Sequence, residues 1–293
     1  MSAIFEMVKY HNKEYPTNIP LKCEEISSHL DINKIEVALS NYSLHTEYSY
    51  GKRNLSSIHY SSDSQLSLAH KDGVPQLWKN EQWATEFATF LANLVDGFNA
   101  PSVIEIHPPF TDYTDSLDVF IERYKVFETK IREYFPNTQI LIENRCGSVY
   151  VGGKFLISRV TDILALSKAI DKENLNLKFA LDIPQLYTAH NCNNEKEYLY
   201  YDIMKKLNPA LHNIGGVHLW GKKRSSCGRK VAHCGDLRSY FEDNIEIVER
   251  FLEEFNYLFD DGILRKLVLE VNSGNDDLDS IINDLISVGI TFK

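Results

Sequence analysis

Along the C-terminal two-thirds of the chain, short continuous apolar runs alternate with longer segments in which apolar residues recur at steps of three and four. The runs occupy 103–107, 140–143, 179–182, 215–218 and 267–270. Runs this short, bounded by turn formers, read as buried parallel strands. Between them, Trp83, Phe87, Phe90, Leu91, Leu94, Val95 and Phe98 mark one buried helical face, entered at Asn80-Glu81 and closed by Gly97 and Asn99-Ala100-Pro101. Leu117, Phe120, Ile121, Tyr124, Phe127 and Ile131 mark a second. The same spacing predicts helices over roughly 158–170, 195–207, 245–259 and 277–288. The first 75 residues are less regular. There, 5–8 and 34–39 read as the first two strands, 25–30 as a short helix, and either 55–59 or 65–70 as the third strand. That gives eight strands and the expectation of a single (β/α)8 barrel over 1–293, with an irregular, loop-rich segment at about 41–79 and no linker rich in Pro, Gly or Ser.

The five clear runs end in His107, Glu143, Asp182, His218 and Glu270. A barrel of this class builds its active site at the C-terminal ends of its strands, so these side chains are expected to meet. Three carboxylates placed together repel, and a divalent cation relieves the repulsion. Imidazole with carboxylate oxygens admits Mn, Mg, Co, Fe or Zn.

Composition adds limits. The chain is 43% hydrophobic and 25% charged, that of a soluble globular protein. Its formal net charge of −10 argues against a broad nucleic-acid surface but leaves room for a local basic groove. No apolar stretch approaches the roughly 20 residues of a membrane span, and residues 1–12 lack a signal-peptide layout, so a cytoplasmic location is the default expectation. The five cysteines are odd in number and form no CxxC, so neither a disulfide framework nor a zinc site made of four thiolates is expected. Five cations, Lys222, Lys223, Arg224, Arg229 and Lys230, crowd the loop after His218. They read as a lid that captures a phosphate or carboxylate, as a contact to a nucleic-acid backbone, or as a solvated loop. Trp220 reads as a platform for a sugar ring or as core.

In order, LSLAH ending at His70, VIEIHPP around His107, LIEN around Glu143, ALDIPQ around Asp182, GGVHLWG around His218 and LVLEVN around Glu270 resemble the xylose-isomerase-like TIM-barrel superfamily over roughly 55–272. That group holds sugar and sugar-phosphate isomerases, ketose 3-epimerases, inosose-type dehydratases and endonuclease-IV-type apurinic endonucleases. The resemblance implies one divalent metal on Glu143, Asp182, His218 and Glu270. It further implies that Glu143 and Glu270 exchange a substrate proton through a metal-stabilised enediolate, and that His107, Gln185, Trp220, Arg229, His233 and the histidine ending the third strand touch substrate. His70 fits that last position better than His59. The nuclease branch differs at two places: its zinc-binding His after the sixth strand is here Gln185, and the Asp of its Asp-Arg-His triplet is here Val231, although His233 matches. An amide is a poor zinc ligand. The leading expectation is therefore an isomerase, epimerase or related dehydratase on a small sugar-like carbonyl compound. An apurinic endonuclease or phosphodiesterase with an altered zinc cluster and a nucleic-acid partner is the alternative, and a barrel that binds a ligand without turnover is the third reading. Barrels of this superfamily often pair, so a homodimer is compatible with the resemblance.

Overall fold

The computed structural model describes residues 2–55, 63–225 and 227–293. Eight strands follow one another around a closed sheet: β1 Ile4–Tyr10, β2 Cys23–Ser28, β3 Tyr42–Thr46, β4 Val103–Ile106, β5 Gln139–Glu143, β6 Leu177–Asp182, β7 Ile214–Leu219 and β8 Arg265–Leu269. Each pairs in parallel with the next, and β8 returns to β1 with Phe5 beside Arg265 and Val8 beside Val268. This is a (β/α)8 barrel. A two-residue strand, β9 Thr291–Phe292, pairs with the start of β1.

Helices cover the later strands: α1 Glu81–Leu94, α2 Leu117–Tyr134, α3 Val160–Glu173, α4 Ile183–Ala189, α5 Tyr198–Lys206, α6 Ile245–Phe259 and α7 Asn275–Ser287. Their apolar faces supply the core between helix ring and sheet. Their entries are capped as the sequence dictates: Asn80 accepts from the Trp83 amide, Ser116 from Val119 and Asn244 from Ile247. Under α1 and α2, Trp78 packs against Trp83, Phe87, Phe120 and Phe127. Its indole N–H donates to the His107 carbonyl at 2.7 Å, so this aromatic cluster fixes the chain where β4 reaches the barrel mouth. Among the described residues no helix is long and apolar enough to cross a membrane, and all five cysteines are free.

The first third differs from expectation. Residues 34–39 are not a strand: they lie along β2 as irregular chain, with the amides of Ala38 and Leu39 both donating to the Glu24 carboxylate. The helix expected at 25–30 is absent, because 25–28 belong to β2. The span 65–70 is not the third strand, and of the alternative 55–59 only Leu55 is described. Gln65–Leu68 is one helical turn, His70–Lys71 pairs with Val74–Pro75 in a small hairpin, and His59 lies outside the described residues. The third strand is Tyr42–Thr46, and its histidine is His45. The reason is physical. Strands β2 and β3 read Cys-Glu-Glu-Ile-Ser-Ser and Tyr-Ser-Leu-His-Thr, and their polar side chains serve the interior of the barrel rather than an apolar core.

Candidate metal centre at the barrel mouth

Seven buried or nearly buried ionisable side chains meet inside the upper barrel, carried by successive strands: Glu25 on β2, His45 on β3, Glu105 on β4, Glu143 at the end of β5, Asp182 at the end of β6, His218 on β7 and Glu270 one residue beyond β8. His107, one residue beyond β4, completes the set.

Glu143 is the node. Its Oε2 lies 2.8 Å from His107 Nε2 and 3.4 Å from His45 Nε2. Its Oε1 accepts from Arg145 at 2.7 Å and from the Gln185 amide. Burial would raise this carboxyl, but Arg145 and His107, with His45, hold it well below the usual carboxylate range. His107 Nδ1 faces the Glu47 carbonyl at 3.2 Å. Both nitrogens face acceptors; with a cation on Nε2, the proton would sit on Nδ1 against this carbonyl.

Asp182 caps α4 through the Gln185 amide, and its Oδ2 accepts from the Gln185 side chain at 2.7 Å and from the Trp220 indole at 2.9 Å. Asn144 ties the ends of β5 and β6 together: its side chain donates to the Asp182 carbonyl at 2.9 Å and accepts from the Asp182 amide at 3.0 Å. Burial, then Glu143 and Glu270, push the Asp182 carboxyl up to about 7. His218 bridges two carboxylates, with Nε2 3.1 Å from Glu105 and Nδ1 3.3 Å from Glu270. Against burial, those two acids hold its ring well above the usual histidine range. Glu270 also lies 3.2 Å from His233, and against burial the two histidines hold it well below the usual range. His45 reaches both Glu143 and Glu105. Burial would lower it, but Glu25, Glu143 and Glu105 raise it to about 10. Glu25, pushed up by burial, stands at about 7.

Among the described residues, two groups bring their donor atoms within 4.8 Å of one another: His45, Glu105, His107 and Glu143, and Glu25, Glu105 and His218. The expected quartet is held here as two pairs, Glu143 with Asp182 around Gln185, and His218 with Glu270. The buried Oε1 of Glu25 makes no hydrogen bond, and Oε1 of Glu105 and Oε2 of Glu270 meet only a histidine ring, at 3.5 and 3.2 Å. An unmade hydrogen bond on a buried carboxylate is costly, and a divalent cation would satisfy it, so the donor set fits a metal.

The other expected contacts separate. Gln185, Trp220 and His233 line the cavity above these groups, with Tyr10, His45, Tyr48, Tyr50, Arg145, Tyr150, Lys222 and Glu270; its volume is about 450 Å³. His233 stacks on Trp220 at 4.3 Å. His70 is exposed, its ring on the Ser67 carbonyl at 2.7 Å, and Arg229 is exposed in the turn of the hairpin Lys222–Arg224/Lys230–Ala232. Glu25, His45 and Glu105 went unrecognised in the sequence. Glu105, a charge in the middle of the run Val103 to Ile106, was the readable signal.

No family model matches the sequence, and no curated protein matches it. Among solved structures the chain is similar to one described as AsfvAP:AG, at 10% identity over 98% of this chain and 99% of that chain, with a TM-score of 0.56. It is similar to a xylose isomerase domain protein from Planctomyces limnophilus at 11% identity over 90% and 95% of the two chains, with a TM-score of 0.45. It is also similar to a D-psicose 3-epimerase from Clostridium cellulolyticum H10, solved with D-tagatose, at 12% identity over 95% and 91%, with a TM-score of 0.44. At such identities the likeness is one of fold, and the fold is the (β/α)8 barrel.

The Asp182 carboxyl, at about 7 without metal, must lose its proton before it binds a cation. Affinity for Zn or Mn is therefore expected to rise with pH through 7 and, because His45 at about 10 and the raised His218 ring must also shed protons to bind, to go on rising above it, with the part below pH 7 lost in Asp182→Asn. Competition against a chromogenic chelator measures this. A flat profile, or the same profile in Asp182→Asn, would remove Asp182 from the ligand set.

Proposed function

We propose that the protein is a divalent-metal-dependent phosphodiesterase acting on nucleic acid at an abasic site, with two neighbouring ligand groups that share Glu143. The observation that supports this reading is His45. With His107, Glu143 and Glu105 it adds a histidine-rich ligand group beside the strand-end set Glu143, Asp182, His218 and Glu270. Such ligation suits zinc and its transition-metal neighbours. Two divalent ions held by these residues would supply charge stabilisation at phosphorus and lower the pKa of the attacking water.

The chain's own side chains bind and orient. Tyr48, Tyr50, Tyr150 and Trp220 offer ring faces for a base or sugar around the cavity. Gln185 and Trp220 hold Asp182, and Arg145 with Gln185 holds Glu143, so neither carboxylate swings when substrate enters. His233, fixed by Glu270 and by stacking on Trp220, lines the cavity and is placed to exchange a proton with the leaving oxygen.

The isomerase or epimerase reading is second. Its favouring observation is the cavity, whose 450 Å³ is the size of a small-ligand pocket. Against it, both Glu143 oxygens are engaged by four donors, which suits a ligand better than a base that must reach a substrate carbon.

Protein purified without added metal or chelator is expected to carry about two transition-metal equivalents per chain, falling to about one in His45→Ala. It is expected to nick a duplex bearing one abasic site, with affinity falling steeply between roughly 50 and 200 mM salt. One equivalent untouched by His45→Ala, with turnover of a ketose and none of the duplex, would give the site to the second reading.

A further inference from the structure

We propose that Lys222, positioned by Thr188, is a phosphate-binding subsite on the wall of the same cavity. It rests on the barrel mouth being the active site, and not on which of the two reactions occurs there. The cations of the loop after β7 are not equivalent. Lys223 pairs with Asp277 at 3.5 Å, and Arg224 and Lys230 both pair with Glu242, all on the exposed surface. Lys222 faces the other way. It is partly buried and lines the cavity, with its ammonium 5.4 Å from the Trp220 ring centre and 5.0 Å from that of Tyr240. Among the described residues no carboxylate lies within ion-pair distance of it.

Its hydrogen bond goes to Thr188 Oγ1 at 2.9 Å. The Thr188 hydroxyl proton is already given to the Pro184 carbonyl at 2.8 Å, so Thr188 can only accept, and it aims the ammonium. An ammonium has three donors; this arrangement leaves two for the cavity. A cation withdrawn from water with no counter-charge is unfavourable, and burial pulls its pKa down, opposed by Asp182. A compact anion supplied by the substrate removes the imbalance, and an ammonium is a point-charge phosphate binder. Arg145 lines the same cavity with its Nε making no hydrogen bond, which extends the cationic wall.

The test uses metal-loaded protein and isothermal titration with inorganic phosphate, a 5′-phosphomononucleotide and an oligonucleotide without terminal phosphates. Lys222→Met, which keeps the stem over both rings, is expected to weaken phosphate and nucleotide binding about tenfold or more. Lys222→Arg should retain most of it, and Lys223→Met should match the wild type. Unchanged binding in Lys222→Met overturns the subsite, as does equal weakening in Lys223→Met. If the oligonucleotide is weakened too, the phosphate is one of a backbone; if only the monoesters are, it is terminal. Both outcomes uphold the subsite. Lys222-dependent phosphate binding with no nicking of the abasic duplex would uphold it while discarding the phosphodiesterase reading.

Discussion

Glu143→Gln is expected to strip the site of metal and lower turnover on the order of 10²–10³-fold or more. Glu143 is the carboxylate that His45, His107, Arg145 and Gln185 all address, and it belongs to both proposed ligand groups. An amide in its place offers one acceptor where two oxygens served, and it takes the counter-charge from the partly buried Arg145 guanidinium and from the His45 ring. Breaking a buried pair from one side costs about 3–5 kcal/mol, so the metal-free variant should also unfold at lower denaturant. Elemental analysis and urea titration of one preparation read both effects. Full metal content at unchanged stability would show that Glu143 is neither ligand nor keystone.

The second large effect lies behind the site. Glu47 is buried and accepts from the amides of Leu30 at 3.3 Å, Tyr48 at 3.0 Å and Ser49 at 2.9 Å, while Arg53 reaches it with Nε at 2.7 Å and Nη2 at 3.1 Å. One carboxylate thus closes the chain that leaves β3 onto the segment after β2. Glu47→Ala is expected to cost about 3–5 kcal/mol, seen as a lower urea midpoint at unchanged slope. The Glu47 carbonyl also faces His107 Nδ1. That carbonyl is main-chain and survives the substitution, so metal affinity should fall only as far as the loosened turn shifts it away from His107. A change below about 1 kcal/mol would mean that water replaces the carboxylate, as on an exposed surface.

What the sequence disclosed follows the distribution of apolar side chains. From residue 80 onward, strands are apolar and helices amphipathic, so β4 to β8 and the major helices were legible, down to the Asn80 cap. Glu143, Asp182, His218 and Glu270 were visible because each follows such a run. Strands β2 and β3 were hidden because their inward positions carry Glu25 and His45. Hydrophobic alternation cannot report a strand whose interior face is ionic. Mistaking the third strand then put His70 where His45 belongs, and with it the second ligand group was lost from view. The basic loop was legible as a cluster, but not which lysine turns inward. That depends on Trp220, Tyr240 and Thr188 meeting in space.

Barrel closure has a consequence for how the protein is made. The seam between β1 and β8 joins nearly the first and last parts of the chain, and Glu270 sits just past it. At ribosomal rates of about 5–20 residues per second, β1 waits on the order of tens of seconds for its second neighbour, with its edge unpaired. Its residues Phe5, Met7 and Val8 are fully buried once the seam forms, so they are exposed until then. The nascent chain is therefore a natural client for chaperones that shield apolar edges, and premature metal encounter would find only part of the ligand set.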